Sequence, residues 1–489
     1  MANRSLSPGD IRVLGGGHCY EDFVYNANTK AVIDITGINS INFSGTKLIV
    51  GAGNTNWDSI KALFKRYGKQ LPGGSCYSVG LGGHITGGGY GLSSRAFGLT
   101  VDWVSGFEVV INDGTDFKTI TATKDQNADL FTALRGGGGG SFGIITNYLF
   151  DALPDAYEGA DLFAIAINWS SITDWTVLKS ILNVYTNYCK NVGTSPTPAD
   201  QQWSPNIFAL GKFMHKANGQ IMFGIQSAWK TTAEQEAQYQ QVKNFVTSLE
   251  TISGVVLDFV RTSPIGHPSL MQGFALAPDD AVFDIDSTFA SQSMSWIDAT
   301  MTNNGSGPNQ RGNYNSAYFR TMLTDIQIQE MFDYLSGSKD TPDLDYSQTL
   351  LQIDSYGGQI NQYSGGNTSI KQRSSIMKGQ FQIYWNDGFQ NQSDLDTQYV
   401  AWLTAFFTDM FKETGGFPDP TSSSSAAASV DGCYVNYPNS ILGTNGGTPD
   451  IHHALNLYFG QDIAASLIKT KAQYDPDNWF QHAQSIPMS

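Results

Sequence analysis

Residues 71–91 read Leu-Pro-Gly-Gly-Ser-Cys-Tyr-Ser-Val-Gly-Leu-Gly-Gly-His-Ile-Thr-Gly-Gly-Gly-Tyr-Gly, and they restrict the fold more than any other stretch of the chain. Glycine gives up more backbone freedom on folding than any other residue, so a run this rich in it needs a physical reason. Three reasons compete: a flexible linker, a set of tight turns with positive φ, or backbone pressed close against a large flat ligand. A linker is Gly/Ser-rich and featureless, whereas this run carries Val79, Leu81, Ile85 and Tyr90 together with Cys76 and His84. A segment that cradles a ligand accounts for it best.

The whole chain shares that bias, with 52 Gly among 489 residues, against a usual level of about 7%. The length suggests two or three domains of about 150 residues each. A net charge of −16 repels a phosphate backbone, which argues against a nucleic-acid partner. No apolar run reaches the roughly 18 residues of a membrane span, and residues 1–10 lack the basic-then-apolar build of a secretion signal. Six Asn-x-Ser/Thr sequons, among them Asn42, Asn168 and Asn391, are compatible with secretion without requiring it. The cysteines are Cys19, Cys76, Cys189 and Cys433. Four in a chain this long do not make a disulfide framework, and none has the Cys-x-x-Cys spacing of a zinc site.

Read in order, the segment opening at Asp10-Ile-Arg-Val-Leu14 is a short apolar strand running into Gly15–Gly17 and His18. The β-branched runs Ala31–Ile35 and Lys47–Val50 read as strands. Asn56–Tyr67 has the apolar spacing of an amphipathic helix, with Trp57, Ile60, Leu63 and Phe64 on one face. Asp102–Asn112 and Phe117–Thr123 form a strand pair around Asn112-Asp113-Gly114. Asp129–Arg135 reads as a helix and residues 143–150 as a strand. Gly138-Gly-Gly-Ser-Phe-Gly143 matches G-x-G-x-x-G, but the dinucleotide fingerprint needs a strand before it and a helix after it. Here the order is reversed, which rejects a Rossmann reading. Over 155–425, helix-like stretches (Trp175–Asn191, Thr231–Glu250, Asp325–Leu335, Asp394–Thr414) alternate with strand-like ones. The strand-like stretches are Gln220–Ile225, Gly254–Phe259, Ser316–Arg320, Thr349–Ile353 and Gly379–Trp385, and they predict an antiparallel sheet. Thr421–Ser429 reads as a small-residue return linker and Asp450–Gln473 as one terminal helix.

Two reactive side chains stand beside glycine clusters: His18 after Gly15–Gly17, and Cys76 after Gly73 and Gly74. Either alone reads as a hydrogen-bonded turn histidine or a buried small residue. Together they fit better as two nucleophiles aimed at one bound cofactor. At these residues the chain resembles the berberine-bridge-enzyme-like flavoproteins. The resemblance runs through Gly15-Gly-Gly-His-Cys-Tyr-Glu-Asp-Phe23, through the Gly-x-Cys-x-x-Val-Gly-x-Gly-Gly-His core of residues 74–84, and through Gly136–Thr146. It continues in Tyr434-x-Asn-Tyr-Pro-Asn439 and the closing Tyr474-Asp-Pro-Asp-Asn-x-Phe480. Asn304–Gly312 and Gly432-Cys-Tyr-x-Asn-Tyr-Pro438 are most similar to the sugar-oxidising members.

The resemblance implies an α+β fold: a vanillyl-alcohol-oxidase-type FAD-binding domain plus a substrate domain with an antiparallel sheet backed by helices. The expected divisions are 1–153 for FAD binding, 154–428 for substrate, and 429–489 returning to the FAD-binding domain. FAD would be attached twice, through His18 to the flavin 8α carbon and through Cys76 to the flavin C6. That leaves a wide cleft for a bulky substrate and makes the flavin a stronger oxidant. Gly16, Gly17, Gly74, Val79, Gly80, Gly82, Gly83, His84, Gly88, Gly143, Ile145 and Asn436 would line the cofactor. His84 is a structural part of that turn, and Val79 is the small residue that admits dioxygen. Tyr437 matches the position of the base that takes the substrate hydroxyl proton. Asp354 of Gln352-Ile-Asp354 matches a carboxylate that accepts that proton or orients the hydroxyl, and Tyr20, Gln352 and Gln382 match sugar contacts. Family members usually carry a further βαβ unit, which helps to wrap the ADP half of FAD, before the Gly-Gly-His segment. Only 17 residues precede His18 here, so part of that unit is expected to be missing. The expected activity is oxidation of a sugar C1 hydroxyl to the lactone, with dioxygen reduced to hydrogen peroxide. The rival readings are an oxidase of natural-product glycosides and a non-catalytic sugar-binding flavoprotein.

Overall fold

The computed structural model describes residues 6–190, 201–261, 284–286, 289, 291–303, 311–386, 392–445 and 447–489. Residues 304–310 of the motif at 304–312 and the sequon at Asn391 lie outside them. The chain divides into two compact units: residues 1–156, 363–371 and 434–489 form the first, and residues 157–362 and 372–433 the second. Among the described residues no helix is long and apolar enough to cross a membrane, and none of the four cysteines forms a disulfide.

In the first unit, β1 (Ile11–Leu14) pairs in parallel with β2 (Ala31–Asp34). A five-stranded antiparallel sheet follows, built from β3 (Ile41–Ser44), β4 (Lys47–Gly51), β5 (Val104–Asn112), β6 (Phe117–Thr123) and β7 (Ile144–Phe150). Its order is β3-β4-β7-β5-β6. Phe107, Val109 and Ile111 alternate inward on β5 and are buried with Tyr148 and Phe150 of β7, the period-2 signature of a half-buried strand. The helix Asn56–Tyr67 begins in a capping box between Thr55 and Asp58 and stops at Gly68, whose φ is 62°. Both devices are legible as end signals in the sequence. The terminal helix spans Ile451–Tyr474, but Gly460 breaks it with φ 71° and ψ 166°. The expectation of one unbroken helix is corrected there: a lone glycine is tolerated in a helical pattern and gives no warning of a kink.

The second unit is a nine-stranded sheet whose strands pair antiparallel throughout. Its strands are β8 (Gly159–Asn168), β9 (Ile207–Met214), β10 (Gln220–Trp229), β11 (Leu257–Arg261), β12 (Asp284–Asp286), β13 (Gln292–Ser295), β14 (Arg311–Phe319), β15 (Thr349–Ser355) and β16 (Met377–Trp385). They run in the order β12-β11-β8-β10-β9-β15-β16-β14, with β13 also on β8. Opposite residues across an antiparallel ladder share a face. One face of the sheet therefore carries Phe163, Ile165, Phe213, Phe223, Leu351, Ile353 and Phe381, all buried. Aromatic side chains of the helices Trp175–Cys189, Thr232–Glu250 and Gln392–Met410 pack on it, for instance Tyr185 on Phe223 and Phe406 on Phe381. The other face is different in kind. It carries Lys212, Gln352, Asp354, Lys378, Gln380 and Gln382 in adjoining register. The residues expected to form a return linker contain a short 3-10 helix, Ser425–Ser429.

Candidate cofactor and substrate sites

The two nucleophiles are brought together by a backbone contact that only glycine allows. A Cβ placed on Gly16 would lie 2.2 Å from the Gly80 amide nitrogen, and one on Gly80 would lie 2.3 Å from that of Gly16. Any side chain at either position would push the His18 turn away from the 76–80 segment. Across that contact the His18 ring nitrogen Nε2 is 2.8 Å from Ser78 Oγ. Partial desolvation holds the imidazole below its ordinary pKa, so the ring is neutral near pH 7 and nucleophilic. Cys76 is half-buried. Its loop is tied to the helix that begins at Asn56: Asn56 Nδ2 donates to Cys76 O (3.1 Å), and the Asn56 and Trp57 amides donate to Val79 O and Tyr77 O. Cys19, next to His18, has its thiol pKa raised by burial, which keeps it a protonated thiol and a poor nucleophile near pH 7.

His84 holds the same loop from the other side. The Gly74 amide donates to its Nε2 at 2.8 Å, while Asn436 Nδ2 donates to its carbonyl at 3.0 Å. The Asn436 carboxamide lies so close to Gly87 that a Cβ there would fall 2.2 Å from Asn436 Oδ1. Asn436 also donates to Tyr434 Oη at 3.1 Å. Tyr437 is clamped by rings on two sides: Tyr20 stacks on it at 5.4 Å, and Tyr434 meets it edge-on at 4.9 Å. Burial pushes the Tyr434 phenol above its usual range, which leaves it a neutral partner. The His18–Phe23 segment is further bound by Glu21 Oε1, which accepts from the Ser440 amide at 2.8 Å.

Gly82 packs toward Ile35, whereas a Cβ on Gly83 would meet nothing within 4 Å, so the turn is open there. Gly88 packs on Ile370, which belongs to a segment, 363–371, that sequence reasoning left unassigned. That segment is anchored by Arg135, which donates to Tyr363 Oη and Asn367 O, and by the Ser369 amide, which donates to Arg135 O. Gly143 presses on Val110 O of β5, and Ile145 sits in the β5–β7 ladder opposite Val109.

The glycine-rich 136–143 loop is closed by the C-terminal segment. Buried Lys471 donates to Ser141 O at 2.7 Å and to Phe480 O at 2.6 Å, and it pairs with buried Asp475. His482 stacks on Phe23 at 4.2 Å. Its Nε2 is 3.1 Å from Gly139 O, and the Gln484 amide points at its Nδ1. Both contacts suit the neutral ring protonated on Nε2, and burial lowers its pKa to about 4. The unfolded chain, with an ordinary histidine pKa of about 6.5, therefore binds a proton that the folded chain refuses. Stability from this group is full above about pH 6.5 and is lost as pH falls toward 4, by at most about 3 kcal/mol and less to the extent that the half-buried ring keeps contact with solvent. Urea midpoints of the wild type should fall over that window more steeply than those of His482→Gln. Parallel curves would show that His482 takes no part.

Within the second unit, Asp354 is buried on β15. Gln352 Nε2 donates to its Oδ1 at 2.8 Å and buried Lys378 lies 3.8 Å from its Oδ2. Burial raises the carboxyl pKa, opposed by Lys378, the Gln352 bond and Lys212. Gln382 is fixed by Tyr384, whose hydroxyl donates to Oε1 at 2.8 Å, and by its own Nε2 donating to Gln380 Oε1 at 3.2 Å. The structure thus sets Asp354, Gln352 and Gln382 on one face of one sheet. His18, Cys76, Val79, His84, Asn436, Tyr20 and Tyr437 all lie in the first unit. Sequence reasoning missed Ser78, Lys212 and Lys378. Ser78 had one signal, its place two residues after the cysteine. The lysines had none, because a lysine in a strand ordinarily faces water.

These residues suit a flat cofactor. Two nucleophiles from separate segments flank one backbone contact, and the turn next to them is open at Gly83. The family model described as FAD binding domain matches residues 7–119, and that described as berberine and berberine like matches 433–487. Hexose oxidase of Chondrus crispus is 35% identical, over 99% of this chain and 87% of its own length. Aclacinomycin-N/aclacinomycin-A oxidase of Streptomyces galilaeus is 28% identical, over 99% of this chain and 82% of its own. Among solved structures, a glycopeptide hexose oxidase complexed with teicoplanin superposes with a TM-score of 0.78 at 26% identity, covering 98% of this chain and 88% of that one.

Proposed function

Because the chain belongs to the berberine-bridge-enzyme-like family of FAD-linked oxidases, we propose that it oxidises the C1 hydroxyl of a hexose or short oligosaccharide to the lactone. In this reading it holds its FAD through two covalent bonds, at His18 and Cys76. The observation that carries the attachment is the Gly16–Gly80 contact with the His18–Ser78 bond across it. The sugar substrate is supported by the likeness to hexose oxidase and by the amide-rich row around Gln352 and Gln382.

The flavin, when bound, would supply the hydride acceptor for the carbinol carbon and the route by which the electrons reach dioxygen. The chain's own residues do the rest. Tyr437 Oη takes the hydroxyl proton, and its ring is held in place by Tyr20 and Tyr434. A phenol of ordinary pKa about 10 would have to fall by roughly three units to act near pH 7, a cost near 4 kcal/mol that the site must offset. Asp354 is the proposed acceptor or orienting group, its carboxylate turned by Gln352 and Lys378. Gln352, Gln382 and Tyr20 are proposed sugar contacts, and small Val79 leaves a path for dioxygen.

A hydrogen peroxide assay across free hexoses and short oligosaccharides tests the reaction. Turnover on at least one is expected. The likeness to aclacinomycin oxidase favours a second reading, a tailoring oxidase of natural-product glycosides. Peroxide from glycosylated aglycones but from no free sugar would select it and overturn the first. The attachment is tested separately, since acid-precipitated protein should stay yellow in the wild type and turn colourless in His18→Ala/Cys76→Ala. A colourless wild-type precipitate would refute covalent linkage.

A further inference from the structure

We propose that Ser78 is a positioning residue for flavin attachment at His18, holding Nε2 of the imidazole so that Nδ1 is the atom presented to the flavin 8α carbon. This rests on the bicovalent reading above and goes beyond it, because Ser78 touches the nucleophile and has no assigned part in the attachment. The geometry is direct. Ser78 Oγ lies 2.8 Å from Nε2, and among the described residues Nδ1 takes no hydrogen bond. The two segments lie in direct backbone contact, with no room for a Cβ at Gly16 or Gly80. Ser78 itself sits between Cys76 and Val79, whose backbone groups are bound to each other and to the helix at Asn56. One short loop therefore presents one nucleophile and orients the other.

The chemistry requires one tautomer. A neutral imidazole has one N–H and one lone pair, and a nucleophile is activated by a neighbour that accepts its proton. With Nε2–H donating to Ser78 Oγ, the lone pair is on Nδ1. Attachment forms the Nδ1–C8α bond and breaks one C8α–H bond. The C8α proton and the Nε2 proton both leave, and the two electrons released pass to dioxygen, the acceptor that the oxidase reaction already uses. Dioxygen and the two protons give hydrogen peroxide, so atoms and electrons balance. Desolvation of the ring, which keeps it neutral, works in the same direction.

The test reads covalent attachment by peptide mass spectrometry on purified Ser78→Ala and Ser78→Thr holoproteins. In the wild type both the His18 and the Cys76 peptides should carry flavin; a wild-type His18 peptide without flavin would sink the attachment reading itself. In Ser78→Ala the flavin-bearing fraction of the His18 peptide should fall at least tenfold while that of Cys76 is kept. Ser78→Thr, which retains the hydroxyl, should restore it. Three results overturn the proposal: full His18 loading in Ser78→Ala, loss of both links in that variant, or failure of threonine to rescue.

Discussion

A Tyr437→Phe variant should reduce its flavin with substrate some 10²–10⁴ times more slowly than the wild type, the usual worth of a positioned acid or base. That is about 3–5 kcal/mol of transition-state stabilisation. The substitution is informative because it leaves the ring contacts alone. Tyr20 stacks on the Tyr437 ring at 5.4 Å and Tyr434 meets it edge-on at 4.9 Å, and phenylalanine can make both contacts. The backbone is fixed independently, by the Tyr437 amide donating to Tyr434 O. Flavin content and thermal midpoint should therefore be unchanged, and the loss should fall on the rate of anaerobic flavin reduction rather than on KM. A variant within about threefold of the wild type would remove Tyr437 from the chemistry. It would also revive the non-catalytic reading, because a sugar-binding flavoprotein has no such rate to lose.

How much of this was legible follows from the range of each signal. The helix Asn56–Tyr67 was readable to the residue, since its capping box, its apolar face and its closing glycine all act within a few positions. Strand β8 was not. Its Gly-Ala-Asp-Leu-Phe-Ala-Ile-Ala-Ile-Asn is buried along nearly its whole length, and a strand covered on both faces loses the alternation that would identify it. The same distinction holds at the sites. His18 and Cys76 stand out because a nucleophile beside a glycine cluster is chemically odd wherever it lies. Lys212 and Lys378 look ordinary until the β9–β15–β16 register puts both around Asp354, and register is a property of three strands far apart in sequence. The segment 363–371 gave no warning, because Tyr-Ser-Gly-Gly-Asn-Thr-Ser-Ile-Lys reads as a surface loop. Its anchor, Ile370 against Gly88 and Gly136, exists only in the folded unit.

Lys471→Met should cost about 3–5 kcal/mol of stability, the range for a buried pair that loses one partner. Neither Lys471 nor Asp475 has any exposed side-chain surface, so water cannot take over the solvation of the abandoned carboxylate. Burial lowers the Lys471 pKa, and the hydrogen bond and charge of Asp475 oppose that. Replacing both partners by apolar residues is often close to neutral in other buried pairs. Here it should not be. Asp475 also accepts from the Trp479 and Phe480 amides, and Lys471 also binds Ser141 O and Phe480 O. Lys471→Met/Asp475→Leu would orphan the buried Phe480 amide and two buried carbonyls, each worth about 1–3 kcal/mol, together with the part-buried Trp479 amide. The double variant should therefore melt no higher than the single one. Since Ser141 lies in the glycine-rich loop, both variants should also incorporate less flavin, read as the flavin-to-protein absorbance ratio of the purified protein. A double variant that regained the wild-type midpoint would mean that the pair matters only through its charges, and that the clasp on the loop is made elsewhere.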